Sequence, residues 1–128
     1  MTTDSIWSDA DIISSYSRAE AIEDGFIVDA NVGDLDEVSR QHFPNAKAAM
    51  TSTLYALVEK AVAHPRWLND LRGVWHDVCF MSRFRNADGL FKVIITGTGR
   101  VRNHVLRRVD SHDVDGAPTV TFMLRGED

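Results

Sequence analysis

Five histidines, one cysteine and nineteen carboxylate side chains are the groups in this 128-residue chain with the atom types for acid–base, thiol or metal chemistry. His76 and Cys79 stand three apart, a spacing that makes neighbours of them on a helix. An activated thiol needs a base beside it and a depressed pKa, normally from cations or a helix N-terminus. Here Val74, Trp75, Val78 and Phe80 surround the pair. Such surroundings raise a thiol pKa, so the pattern reads as a core cysteine beside a boundary histidine. His76-Asp77 and His112-Asp113-Val114-Asp115-Gly116 also hold ligand atoms. Metal sites need three or four converging ligands, and no HExxH, CxxC or EF-hand spacing occurs, so neither a metal nor another cofactor is expected. The last of these stretches has the carboxylates for a weak cation site, but an exposed turn would use the same residues. Gly97-Thr98-Gly99 has half the form of a phosphate-cradling loop. It lacks the third glycine and joins two strands where the motif needs a following helix, so it reads as a hairpin turn. A small enzyme joining His76, Asp77 and His104 stands as an alternative, with no catalytic residue assigned in the leading reading.

Charge is the stronger signal. The net charge is −5, but residues 1–40 carry ten acids against Arg18 and Arg40, whereas residues 83–108 carry seven bases against Asp88. Either the two halves neutralise one another in the fold, or each addresses a partner. Glu20, Glu23, Asp24, Asp34, Asp36 and Glu37 are the candidate acidic binding residues, suited to a basic surface and able to imitate a phosphate backbone. Arg100, Arg102, Arg107 and Arg108 are the alternative, for a nucleic acid or an acidic protein. They lie on strand-like sequence, mostly without interleaved aromatics, in an acidic chain, so direct nucleic-acid binding is the weaker reading.

The elements that must position these groups follow from period and punctuation. Ser17 with Glu20 is a capping box, Ala19, Ala21 and Ile22 favour a short helix, and Gly25 stops it before a strand over Phe26–Asp29. A helix of one or two turns is unstable alone, so this unit must dock on something larger. Asp34 is expected to cap a second short helix whose Leu35 and Val38 face inward. Ala46–Ala63 shows apolar residues every three and four, predicting a long helix, and His64-Pro65 ends it. Arg66–Arg85 predicts a second long helix, apolar over most of its circumference and therefore buried. Trp67, Trp75, Val78 and Phe84 are its candidate core residues, and Gly73 within it implies a close backbone approach or a break. From Leu90 the period becomes that of strands: Leu90–Thr96, Arg100–Asp110 and Thr119–Leu124. The predicted fold is α+β: two long helices on a small antiparallel sheet of three or four strands, with the short helix–strand unit at its rim. One domain spans residues 1–128, with 1–11 as a loosely packed tail in which Trp7 anchors locally. Self-association as a homodimer through an open sheet edge is possible. One cysteine suits a reducing cytoplasm. The acidic N-terminus lacks the basic and apolar regions of a secretory signal. No apolar run reaches membrane-span length.

The run Tyr16-Ser17-Arg18-Ala19-Glu20-Ala21-Ile22-Glu23-Asp24-Gly25 with Val28-Asp29 resembles the opening of a family of small proteins carried by phages, plasmids and bacterial chromosomes. Gly73–Arg83 and the ending Gly116–Leu124 with Glu127-Asp128 resemble the same family. Trp75-His76 stands where family members often read Leu-Trp, so the surroundings of that helix differ. The family has no settled activity; the resemblance implies a mobile-element setting in a bacterial host cell. Small size, the acidic half and this setting together make the leading expectation a non-enzymatic protein that binds a host protein. Inhibition of a nucleic-acid-targeting defence, of CRISPR or restriction type, is the candidate role.

Overall fold

The computed structural model describes residues 17–127; Trp7 and the expected tail over 1–11 lie outside them. The Ser17 hydroxyl accepts the Glu20 N–H at 3.0 Å, and the Ser17 N–H donates to the Glu20 carboxylate at 3.2 Å. This reciprocal cap opens α1 (Arg18–Glu23), and Gly25, at φ 81°, turns the chain out of it. There follow β1 (Ile27–Asp29), α2 (Gly33–His42), β2 (Lys47–Thr51), α3 (Ser52–Ala63), α4 (Leu71–Met81), a 3-10 turn (Ser82–Phe84), β3 (Leu90–Ile94), β4 (Asn103–His112) and β5 (Pro118–Leu124). α2 begins at Gly33 after Val32, with Asp34 in its first turn and not at the cap.

The architecture is α+β. The sheet, however, has five strands in the order β1-β2-β5-β4-β3 and is mixed, where the sequence predicts a smaller antiparallel one. β3, β4 and β5 form an antiparallel meander and β1 pairs antiparallel with β2. The last strand then lies parallel to β2, with Ala48 opposite Val120 and Met50 opposite Phe122, and so joins the two halves. β2 is the correction that matters most. Its residues fall inside the stretch expected to be helical, because Ala48, Ala49 and Met50 are all buried and show no alternation. A strand covered on both faces reads as a continuous apolar run, and alanine and methionine tilt that run toward helix. The helix starts only where the Thr51 hydroxyl accepts the Leu54 N–H at 3.2 Å.

The second long helix is also shorter than expected. The Asp70 carboxylate caps it by accepting the Gly73 N–H at 2.6 Å, which leaves Arg66–Asp70 outside. A β-carbon on Gly73 would sit 2.6 Å from that carboxylate oxygen, so the glycine makes room for the cap and marks neither a break nor a backbone crossing. Two expected core residues are corrected as a result. Trp67 lies in the connecting loop, half-buried, under the Arg102 guanidinium. Phe84, on the 3-10 turn, is 67% exposed.

α2, α3 and α4 cover one face of the sheet. Trp75, Phe122, Met50, Leu54, Leu106 and Val78 are fully enclosed between the layers. The Phe122 ring meets Trp75 edge-on at 5.2 Å and Phe91 edge-on at 5.9 Å, the geometry aromatic quadrupoles favour. The one polar atom of Trp75 is satisfied. Its indole N–H donates to the Ser39 hydroxyl at 2.9 Å, and that hydroxyl donates to the Ala30 carbonyl at 2.6 Å. Among the described residues, the other face is covered only at the β1–β2 end, by α1, whose Arg18 reaches Asp29 and the Ala48 carbonyl.

Candidate functional site

The spacing of His76 and Cys79 on α4 does bring both onto one helix, but on different sides of its boundary. Cys79 is buried, and burial pushes its thiol well above the usual range, with Arg108 opposing only in part. His76 is exposed and pairs instead with His42 of α2, whose Nε2 lies 3.1 Å from its Nδ1. Burial, then His76, then the Arg83 guanidinium lower the His42 pKa. His104 lies on β4 with its Nε2 2.9 Å from the Thr98 hydroxyl, and burial lowers its pKa against the Val101 backbone contact. His76 and Asp77 are exposed neighbours on α4, whereas His104, on β4, faces Thr98 of the β3–β4 turn. The structure gives His76 and His104 different partners.

The carboxylates of the 112–116 turn already hold a cation. Lys47 of β2 donates to Asp113 at 3.1 Å and to Asp115 at 3.2 Å. Asp113 also accepts the backbone N–H groups of Arg18 at 3.1 Å and Val114 at 2.8 Å, and Asp115 that of Ala117 at 2.9 Å. The backbone donors first and the ammonium second hold both carboxyls below the usual carboxylate range. Among the described residues, no three His, Cys, Asp or Glu side chains converge as a metal site.

The acidic candidates all sit on the N-terminal α1–β1–α2 unit, and part of their charge is spent at home. Glu20 closes the α1 cap. Asp36 pairs with Arg40 at 2.8 Å, and Glu37 pairs with Arg72 of α4. Glu23, Asp24 and Asp34 are exposed. The two surface pairs are each worth about 1 kcal/mol or less, so a partner could take them over. The basic candidates separate into two groups. Arg107 donates to the Asp88 carbonyl at 2.8 Å, and Arg108 forks onto Asp110 at 2.8 and 3.0 Å above the Phe43 ring. Arg100 and Arg102 are exposed at the start of the β4 hairpin, with Arg102 lying on Trp67.

A surface that the sequence reading missed lies on the outer side of α2 and α4. His42 and His76 meet tilted at 4.9 Å between ring centroids, His76 and Phe80 stack at 6.2 Å, and Phe80 and Phe84 meet edge-on at 5.9 Å. Arg83 lies 5.4 Å over the Phe80 ring. Phe80 is 40% exposed. Rings at 76, 80 and 84 recur every four residues, and that spacing was visible in the sequence. It reads equally well as part of a buried stripe, and only the packing of α4 tells the two apart. At the other end of the same helix pair stand Glu37 and Arg72. The face therefore runs from the acids of α2, through the histidine pair, to an exposed aromatic end.

Among the described residues no helix is long and apolar enough to cross a membrane. Comparison of the chain with protein-family models, curated proteins and solved structures finds no match.

Proposed function

We propose that this chain is a non-enzymatic accessory protein of mobile-element type that binds a host protein through the outer face of α2 and α4. The observation that carries this reading is the unbroken contact of four rings, His42, His76, Phe80 and Phe84, at the surface. Exposed aromatic clusters beside charge are the usual anchors of protein interfaces, because a rigid ring contributes much area at little entropic cost. Asp34, Asp36 and Glu37 at the opposite end supply the polar rim and the steering charge, with Glu20, Glu23 and Asp24 on the adjoining α1. A basic groove that ordinarily holds nucleic acid is the kind of partner surface such acids suit. Inhibition of a nucleic-acid-targeting defence, of CRISPR or restriction type, is accordingly the role proposed.

The test is capture of the partner from a bacterial lysate with wild-type chain, with Phe80→Ala/Phe84→Ala, and with charge reversal at Glu23, Asp24 and Asp34. Partner recovery and protection of phage or plasmid transfer should both fall for the two variants. Unchanged binding and protection in both would remove the proposal. Turnover of a small molecule by the purified chain, abolished by His76→Ala, would replace it with the enzymatic reading.

A further inference from the structure

We infer that His42 and His76 together chelate a divalent late transition metal ion, with copper(II) held best. His42 Nε2 and His76 Nδ1 stand 3.1 Å apart across the contact between α2 and α4. Two metal–nitrogen bonds of about 2.0–2.1 Å set their nitrogens about 3.3 Å apart at the tetrahedral angle and about 2.9 Å apart at a right angle. The observed separation falls between the two, so both rings reach one ion by turning about their own side-chain bonds. His42 closes α2 and His76 lies midway along α4. Two contacts between those helices hold the pair in place. The Trp75 indole N–H donates to the Ser39 hydroxyl at 2.9 Å on the buried side, and Glu37 pairs with Arg72 on the outer side. Donors fixed before the ion arrives give up little freedom on binding it.

The donors select the ion. Neutral imidazole suits copper, nickel and zinc, whereas magnesium and calcium take oxygen ligands. Among the described residues no third His, Cys, Asp or Glu side chain joins the pair, so the remaining coordination positions fall to water. As the pair stands, one facing nitrogen donates its N–H to the other. Binding moves that proton, by exchange with solvent, to the outer nitrogen of the same ring. Both facing lone pairs are then free for the ion, and the protein neither gains nor loses a proton. One neighbour opposes the ion: the Arg83 guanidinium, which disfavours a proton on His42, disfavours a metal cation there as well. Copper(II) stands highest in the affinity order for such ligands and best offsets that repulsion. His42 and His76 also belong to the ring face proposed above for partner binding. The inference rests on their nitrogen geometry alone and is measured without a partner, so the two stand or fall separately.

Titration calorimetry of the full, tag-free chain near neutral pH, with copper, nickel, zinc, cobalt and magnesium salts in turn, tests this directly. Copper should bind tightest, ahead of nickel, zinc and cobalt, and magnesium should not bind. His42→Ala and His76→Ala should each weaken copper binding by more than about tenfold, since losing a group that merely supports a ligand already costs that much. His112→Ala, at an exposed histidine on β4 outside the pair, should leave copper binding unchanged. Circular dichroism checks that the variants fold, and the wild-type chain supplies a second readout that needs no variant. Sub-stoichiometric copper should broaden the ring signals of His42 and His76 before those of His64, His104 and His112. Copper binding that both alanine variants retain, or broadening that begins at another histidine, overturns the inference. Failure of copper to bind the wild-type chain overturns it too.

Discussion

Phe122 and Met123 are adjacent on β5 and point to opposite sides of the sheet. The helix-covered side, where Phe122 lies, is fully enclosed and aromatic, with Trp75 and Phe91 against its ring. Met123 is half-buried on a side that, among the described residues, α1 alone covers, and at one end only. The same strands build both, so the difference arises from what the connecting segments bring. Three helices arrive on one face, and a six-residue helix held by Arg18 arrives on the other. Stability is therefore concentrated on one face. The other has side chains to spare for contacts that the described residues do not supply.

The largest expected effect tests this contrast within one dipeptide. Phe122→Ala should cost about 3–5 kcal/mol, the range for a buried aromatic truncated in a packed core. Met123→Ala should cost about 1 kcal/mol on half-burial alone. Denaturant unfolding measures both. Equal losses would mean that the second face is as well packed as the first. A Met123→Ala loss well above the half-buried figure would mean that this side chain is more tightly enclosed than its exposure indicates.

Arg18 is the next point of attack, since it fixes the only described cover on the second face. Its guanidinium donates to Asp29 at 2.6 Å and to the Ala48 carbonyl at 2.8 Å. Arg18→Met keeps the apolar stem and removes both donors, leaving a half-buried carboxylate and a strand carbonyl without that partner. The expected loss is about 2–3 kcal/mol. Amide exchange should report it first in α1 and β1 and last in the meander. Uniform loss of protection would show that the two faces unfold as one.

How much of this was legible beforehand depended on whether the signal was local. The Ser17–Glu20 cap and the glycine after α1 use side chain and backbone within a few residues, and they could be read directly. The meander, with its change of period after Leu90, was legible for the same reason. β2 was not, because the sheet puts Ala48 and Ala49 at a position buried on both sides, and nothing in five residues announces a parallel partner 72 positions on. Once β2 is a strand, β5 becomes central and the meander becomes half of a mixed sheet. Residues of the candidate site show the same limit. The acids of α1 and α2 are visible as a cluster, but their pairing with Arg40 and Arg72 depends on how α2 lies against α4. The exposure of Phe84 depends on where α4 ends, which the periodicity over Arg66–Arg85 overstates at both ends.

Phe84→Ala separates stability from binding. A side chain this exposed should cost under about 0.5 kcal/mol when truncated, while partner recovery should fall clearly if the ring is an anchor. A large drop in melting temperature would place Phe84 in a packed environment and weaken the case for the α2–α4 face.

The smallest effect concerns the Lys47 bridge, and pH distinguishes it from a packing change. Asp113 and Asp115 are held below their ordinary value of 3.8 by backbone donors and by the Lys47 ammonium. The unfolded chain binds protons at these groups before the folded one does. Their contribution is thus present above about pH 4 and disappears as pH falls through the depressed folded values. Lys47 is raised above 10.5 by the same two contacts, so its share is present below that value and is lost as pH rises through the folded one. Asp113→Asn removes the ionisable group but leaves a side chain of the same shape. It should lower the melting temperature slightly near neutral pH, and the two curves should converge in acid, where the wild-type carboxylate is itself protonated. A difference that stays constant with pH would mean that Asp113 acts through its shape and backbone contacts alone. The turn between β4 and β5 would then be fixed to β2 without help from its charge.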